Sequence, residues 1–282
     1  MKRIALIVLL LVIIVGAEDM DLGDRDFRFI GKKSLQSLPR TGPTNTAFHL
    51  KMYGSEMTTT KVDASGSGQL FDYSLNGALC ELFGSSLVPA YPGFFFDGTQ
   101  DHVFTDTTLQ TTFDGSFSIS CWCKTDDGNF TAYQVLVGAQ NGAKEDIVHL
   151  TIETSGKVRL TYESNNISAY AEENAASFAN GANPWVHVVG VATADTTLVI
   201  YVNGALQTLG AGAAAGDASG ITFADFATNC DINVGGLNSD TTHDGFSKWF
   251  DGLIGETIIY NTALDAVQVK NIYETTKWRY PL

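Results

Sequence analysis

Residues 184–209, PWVHVVGVATADTTLVIYVNGALQTL, leave the chain little choice of secondary structure. Val186, Val188 and Val191 sit in a run of strand-forming residues that breaks at the polar Ala194-Asp195-Thr196. Leu198 to Val202 resumes it and ends at Asn203-Gly204. Asn-Gly between alternating apolar runs is a two-residue hairpin turn, because both residues must reach positive φ and these two do so most readily. Three antiparallel strands follow.

The rest of the chain is compatible with more of the same. It has 282 residues, with 28 Gly and only six Pro, and all-β sandwiches commonly use about 200–250 residues in one domain. A net charge of −14 argues against nucleic acid as a partner, since binding it needs a basic face to displace counterions. It argues equally against a polybasic hold on anionic lipid. Acidity of this kind is ordinarily a matter of solubility, although a carboxylate-rich loop can also hold a hard cation.

At the amino terminus Met1-Lys2-Arg3 precedes an unbroken apolar run, Ile4 to Val15, then Gly16-Ala17 and the acidic Glu18-Asp19. This pattern predicts a secretory signal cleaved after Ala17. Retained, residues 4–17 would instead form a membrane anchor, although a helix of that length spans only about 21 Å against roughly 30 Å of hydrocarbon. Both readings direct the chain to a membrane, and so to an extracellular, cell-surface or virion location. Residues 18–67 lack a sustained period and read as an extended arm or linker, within which Ala47 to Met52 alternates and is a candidate edge strand. From residue 68 to 282 the pattern is that of a single domain.

Within it, Gly93 to Gly98, Ser116 to Lys124, Tyr133 to Val137, Ile147 to Ile152, Lys157 to Tyr162, Asp231 to Val234 and Leu253 to Tyr260 read as further strands. The small-residue run Gly210 to Gly220 reads as loop. A short helix closes the chain: Asp265 is its N-cap with Gln268 three residues on, and Val267, Val269, Ile272 and Tyr273 mark its apolar side. Many strands and one terminal helix, without helix–strand alternation, predict an all-β, two-sheet antiparallel sandwich. Cys121 and Cys123 fall on the same face of one strand, about 6.6 Å apart, which is awkward for a mutual disulfide. Either can pair with Cys80 or Cys230, or all four are buried thiols, the favoured reading.

Seven blocks in order then resemble the laminin G-like, concanavalin A-like jelly-roll family. They are DYSLNG (72–77), FFFDGTQDHV (94–103), GSFSISCWCK (115–124), PWVHVVGV (184–191), LVIYVNGAL (198–206), INVGG (232–236) and FDGLIGETIIYNTALDAVQVKNIY (250–273). The resemblance covers about residues 68–275. It implies two curved antiparallel sheets with the first and last strands adjacent, and binding of carbohydrate or protein in the loops, often with calcium.

Phe-Asp-Gly occurs at 96–98, 113–115 and 250–252. Asp97, Asp101 and Asp251 are candidate oxygen ligands for Ca²⁺, which wants six or more such atoms. The competing reading is turn chemistry, in which Asp bonds its own backbone and Gly takes positive φ. Tyr133, Tyr170, Phe246 and Trp249 are candidate platforms for stacking on sugar rings. His187, between valines and beside Trp185, reads as a packed histidine rather than a catalytic base. A glycan hydrolase of this fold needs paired carboxylates on one strand face. Glu145-Asp146 with Glu153, and Glu172-Glu173, have the wrong spacing. The sequence thus predicts a non-enzymatic, membrane-directed surface or virion structural protein whose sandwich contacts other structural or surface proteins. A calcium-assisted carbohydrate-binding adhesin is the alternative, and a glycan hydrolase or lyase a distant third.

Overall fold

A computed structural model describes residues 45–52, 68–71, 74, 79–84, 88–90, 92–126, 130–140, 146–164, 167–179, 183–194, 197–221, 223, 230–238 and 246–281. The proposed leader or anchor, and the arm as far as residue 44, lie outside them. So does most of the DYSLNG block. Among the described residues no helix is long and apolar enough to cross a membrane.

The strands before the first helix are β1 (Thr46–Leu50), β2 (Gly68–Phe71), β3 (Leu79–Phe83), β4 (Val88–Ala90), β5 (Gly93–Asp97) and β6 (His102–Thr108). A one-turn helix, α1 (Gln110–Phe113), leads to β7 (Phe117–Thr125), β8 (Gln134–Gln140), β9 (Ile147–Ile152), β10 (Val158–Ser164) and β11 (Ile167–Glu172). Next come β12 (Val186–Thr193), β13 (Thr197–Val202), β14 (Ala205–Leu206), β15 (Asp231–Val234), β16 (Leu237–Asn238) and β17 (Phe246–Ser247). The chain closes with β18 (Asp251–Tyr260) and α2 (Ala266–Thr276).

Apart from β16 and β17, which pair with each other, these strands form two antiparallel sheets. The first runs β14-β13-β12-β7-β18-β5-β4, with β1 also on β18, and the second runs β11-β10-β9-β8-β15-β6-β3-β2. The architecture is the expected jelly-roll sandwich, with its short C-terminal helix. The hairpin reading holds in detail: Asn203 and Gly204 have φ of 50° and 76° and join β13 to β14.

Alternation along the strands builds the core. Phe117, Ile119, Cys121 and Cys123 of β7 point inward, as do Val148, Leu150 and Ile152 of β9 and Val158, Leu160 and Tyr162 of β10. All four cysteines are buried free thiols. The loop 210–220 carries no buried apolar core element except Ala218, but it bridges Ala171 and Thr197 through Ala215 and Asp217.

One boundary moves. β1, placed by sequence within the arm, pairs with β18 from Thr46↔Tyr260 to Leu50↔Thr257, beyond the stretch Asp251 to Ile254 that pairs with β5. Phe48, Leu50 and Met52 are buried in the core. The sandwich therefore takes in this strand, and its first and last strands are adjacent. His49 Nε2 and Glu256 Oε1 hydrogen-bond at 2.9 Å, and Arg279 Nη1 donates to the other Glu256 oxygen at 3.2 Å. Burial pushes the Glu256 carboxyl up, but His49, Arg279 and Lys51 outweigh it and hold it below the usual carboxylate range.

The outer face of the first sheet is roofed. Helix α2 starts with the anticipated capping box between Asp265 and Gln268. Val269 packs on Val189, Val191, Tyr201 and Ile258. Val267, assigned by sequence to the apolar side, is instead 67% exposed, because it falls beyond the strip facing the sheet. Behind the helix, Trp122 stacks on Tyr280 and Tyr273 and donates from its indole N–H to Thr276 Oγ1 at 2.9 Å.

Candidate functional site

Among the described residues the second sheet has no such roof over β8 to β11, and strand register decides what it shows. With Val158, Leu160 and Tyr162 turned inward, Arg159 and Thr161 of β10 must face out. Pairing aligns Thr161 with His149 on one side and Tyr170 on the other. Arg159 aligns with Thr151 and Glu172. Gly138 of β8 stands opposite His149, and a Cβ there would come within 3.3 Å of the imidazole. A glycine at this position leaves the imidazole room.

Over these rows lies a hollow of about 330 Å³ lined by Tyr133, Gln140, Ile147, His149, Thr151, Glu153, Arg159, Thr161, Leu237 and Lys248. This is the low end of the volume that ligand pockets occupy. One wall is a closed ionic lattice. Arg159 Nε donates to Glu172 Oε2 at 2.9 Å, Arg159 Nη1 stands 3.3 Å from Glu153 Oε2, and Thr151 donates to Glu153 Oε1 at 2.9 Å. The guanidinium also lies 4.6 Å over the Tyr170 ring.

The remaining lining groups are unspent. His149 Nε2 is buried with no hydrogen-bond partner, and burial pushes the imidazole pKa down to about 3, so the ring is neutral at physiological pH. Among the described residues the side chains of Gln140, Thr161 and Lys248 make no hydrogen bond or ion pair either. Lys248 Nζ lies 4.8 Å over the Tyr133 ring. Its backbone is at φ 58°, a left-handed conformation rare outside glycine, while its carbonyl accepts from the Val135 N–H at 3.0 Å. Burial raises the Tyr133 phenol, with Glu153 adding to the shift.

The residues picked out by sequence divide around this hollow. Tyr133 lines it, and Tyr170 sits beside it under Arg159. Trp249 is half-buried and packs on His102 at 5.4 Å. Phe246 is in β17, and its side chain is outside the described set. Asp97 and Asp251 are cross-strand partners at another corner, near Asp101. Asp101 Oδ2 accepts the Asp97 N–H at 3.0 Å. Asp97 Oδ1 accepts both the N–H and the hydroxyl of Thr99, at 2.9 and 2.7 Å. These bonds are turn chemistry, with Gly98 at φ 74°. Among the described residues no three acidic, histidine or cysteine side chains are grouped to hold a metal ion.

His187 is fully buried beneath the roof of the first sheet, bonded through Nε2 to Ser120 Oγ at 2.8 Å, and burial brings its pKa to about 3. His149, Thr151, Thr161, Arg159 and Lys248 were not singled out by sequence. The first four could have been, since they are the polar phase of two strands whose apolar phase was read correctly. Lys248 carries no local signal.

A family model described as the concanavalin A-like lectin/glucanases superfamily matches residues 97–270. Among curated proteins no relative matches. Solved structures similar to the chain include the binding domain of a botulinum neurotoxin of serotype D/C, with a TM-score of 0.58 and 16% identity. That likeness covers 82% of this chain and 52% of the toxin fragment. The receptor-binding domain of a C/D mosaic serotype gives 0.59 and 14%, over 84% and 55%. A third, the binding domain of botulinum neurotoxin DC in complex with rat synaptotagmin II, gives 0.55 and 16%, over 78% and 51%. The chain thus spans about half the length of these structures, and at such identities the likeness is one of fold.

Proposed function

The chain belongs to the concanavalin A-like lectin/glucanases superfamily, and within that frame we propose that it is a non-enzymatic, membrane-directed surface protein whose sandwich binds a glycan in the hollow on its second sheet. The observation that carries this reading is the set of uncommitted polar groups around His149, beside an aromatic ring. Neutral imidazole, amide and hydroxyl groups each offer donors and acceptors to sugar hydroxyls. Tyr133 supplies an apolar face at the rim. The acids that border the hollow, Glu153 and Glu172, are both paired with Arg159. The reading is one of binding without turnover. Similar folds are solved as binding domains, one with synaptotagmin II and another with SialylT, which supports a holding role for this architecture. Membrane direction rests on the apolar run at residues 4–15.

A second reading, contact with other surface or virion structural proteins, draws on the opposite side of the molecule. There Leu206, Val267 and Trp278 are 60%, 67% and 73% exposed. Retention on a glycan array tests the first reading. Wild type is expected to be retained, His149→Leu to lose retention while keeping its fold, and no reducing ends to be released. Undiminished retention by the variant would remove the hollow from the account.

A further inference from the structure

We propose that Lys248 makes this hollow selective for an acidic sugar residue, one whose carboxylate meets the Lys248 ammonium while its hydroxyls meet Thr161, His149 and Gln140. The inference rests on the glycan reading of the hollow. It starts from a local charge balance. Arg159 is flanked by Glu153 and Glu172, and Glu172 is also 3.6 Å from Lys157. That lattice therefore presents no unmatched cation to a ligand. His149 contributes no charge. Lys248 does: among the described residues no carboxylate pairs with it, and it sits at the rim with only the Tyr133 ring beneath it.

The backbone points the same way. Positive φ at a non-glycine residue is strained, and such strain concentrates at ligand sites. Here it falls on the residue that bears the unmatched charge, in a stretch tied down by the Lys248–Val135 backbone bond. A single ammonium suits a monoanion. A dianionic phosphate would call for a bidentate guanidinium or several amides, and would be repelled more strongly by a chain of net charge −14.

The test is an amide-resolved NMR titration of the full chain with glucuronate and galacturonate against glucose and galactose, pairs that differ in a carboxylate for a hydroxymethyl group. Wild type is expected to bind the uronates about tenfold more tightly, with shifts at Lys248, Thr161 and His149. Lys248→Met should bring each pair to within about twofold by losing uronate affinity alone, and Lys248→Arg should keep the preference. Equal binding of uronate and hexose by wild type would overturn the selectivity and leave the glycan reading standing. Loss of hexose binding in Lys248→Met would also overturn it, showing a wall residue rather than a selector. If none of the four sugars shifts the hollow, both inferences fall.

Discussion

His187 and His149 lie on the outer faces of the two sheets, near the start of β12 and within β9, each held neutral by burial, with pKa near 3. Their surroundings differ. His187 bonds Ser120 and lies under Trp122 and Tyr273, its ring parallel to or tilted on theirs. His149 has no partner for Nε2 and faces a hollow that α2 does not reach. Each ring leaves one buried nitrogen without a hydrogen-bond partner among the described residues, Nδ1 of His187 and Nε2 of His149, so the difference is that His187 keeps a side-chain hydrogen bond under the roof whereas His149 lines a hollow. The roofed face serves stability, and the open face is the one proposed to bind.

The largest expected effect falls on the roof. Trp122→Ala should cost about 3–5 kcal/mol in urea unfolding, because it removes a fully buried indole stacked between two tyrosines. Sugar affinity of the folded fraction should not change. A matching loss of affinity would mean the two faces are coupled and would break the comparison.

The histidines give the next effect, through pH. Their folded pKa values lie below the unfolded value of about 6.5. The unfolded chain therefore binds the extra protons, and the stability is fully present above pH 6.5 and falls as pH drops toward the folded value of about 3. Each histidine should account for about 2 kcal/mol of loss between pH 7 and pH 5. His149→Leu and His187→Leu should each flatten that slope by this amount. At pH 7 they should part: His149→Leu stays within about 1 kcal/mol of wild type, since no hydrogen bond is lost, whereas His187→Leu costs about 1–3 kcal/mol by stranding Ser120. Equal costs would contradict the idea that His187 is held by a hydrogen bond that His149 lacks.

Lys248→Gly sharpens the trade between stability and binding. It should raise stability by up to about 1 kcal/mol by relieving positive φ, and it should abolish uronate preference. The smallest expected effect is that of calcium. Saturation of a Ca²⁺ site at a hundred times its Kd would add about 2.7 kcal/mol. With Asp101 Oδ2 accepting the Asp97 N–H and Asp97 Oδ1 accepting from Thr99, and with no group of three acidic, histidine or cysteine side chains among the described residues, melting should be indifferent to excess calcium or chelator. An upward shift would restore the aspartate corner as a cation site.

Much of the fold was legible because strand phase is local information. The Asn203-Gly204 turn, the inward set on β7 and the Asp265 capping box all follow from neighbours in sequence. β1 was legible as a strand but not as part of the sandwich, since its partner β18 is some two hundred residues away. The hollow was less legible. Its wall joins Glu153, Arg159 and Glu172, which spacing alone separated, and its selector comes from the approach to β18. Trp249 looked like a loop platform, and its half-buried ring lies against His102. Aromatic type alone does not distinguish the two roles, because burial depends on what long-range pairing brings overhead.

The most direct test of an open face against a roofed one is long-range ¹⁵N–¹H NMR of the histidine side chains during addition of a bound sugar. The account predicts that the His149 ring nitrogens shift with saturation while those of His187 stay fixed. A stationary His149, or a shift at His187 instead, would contradict it.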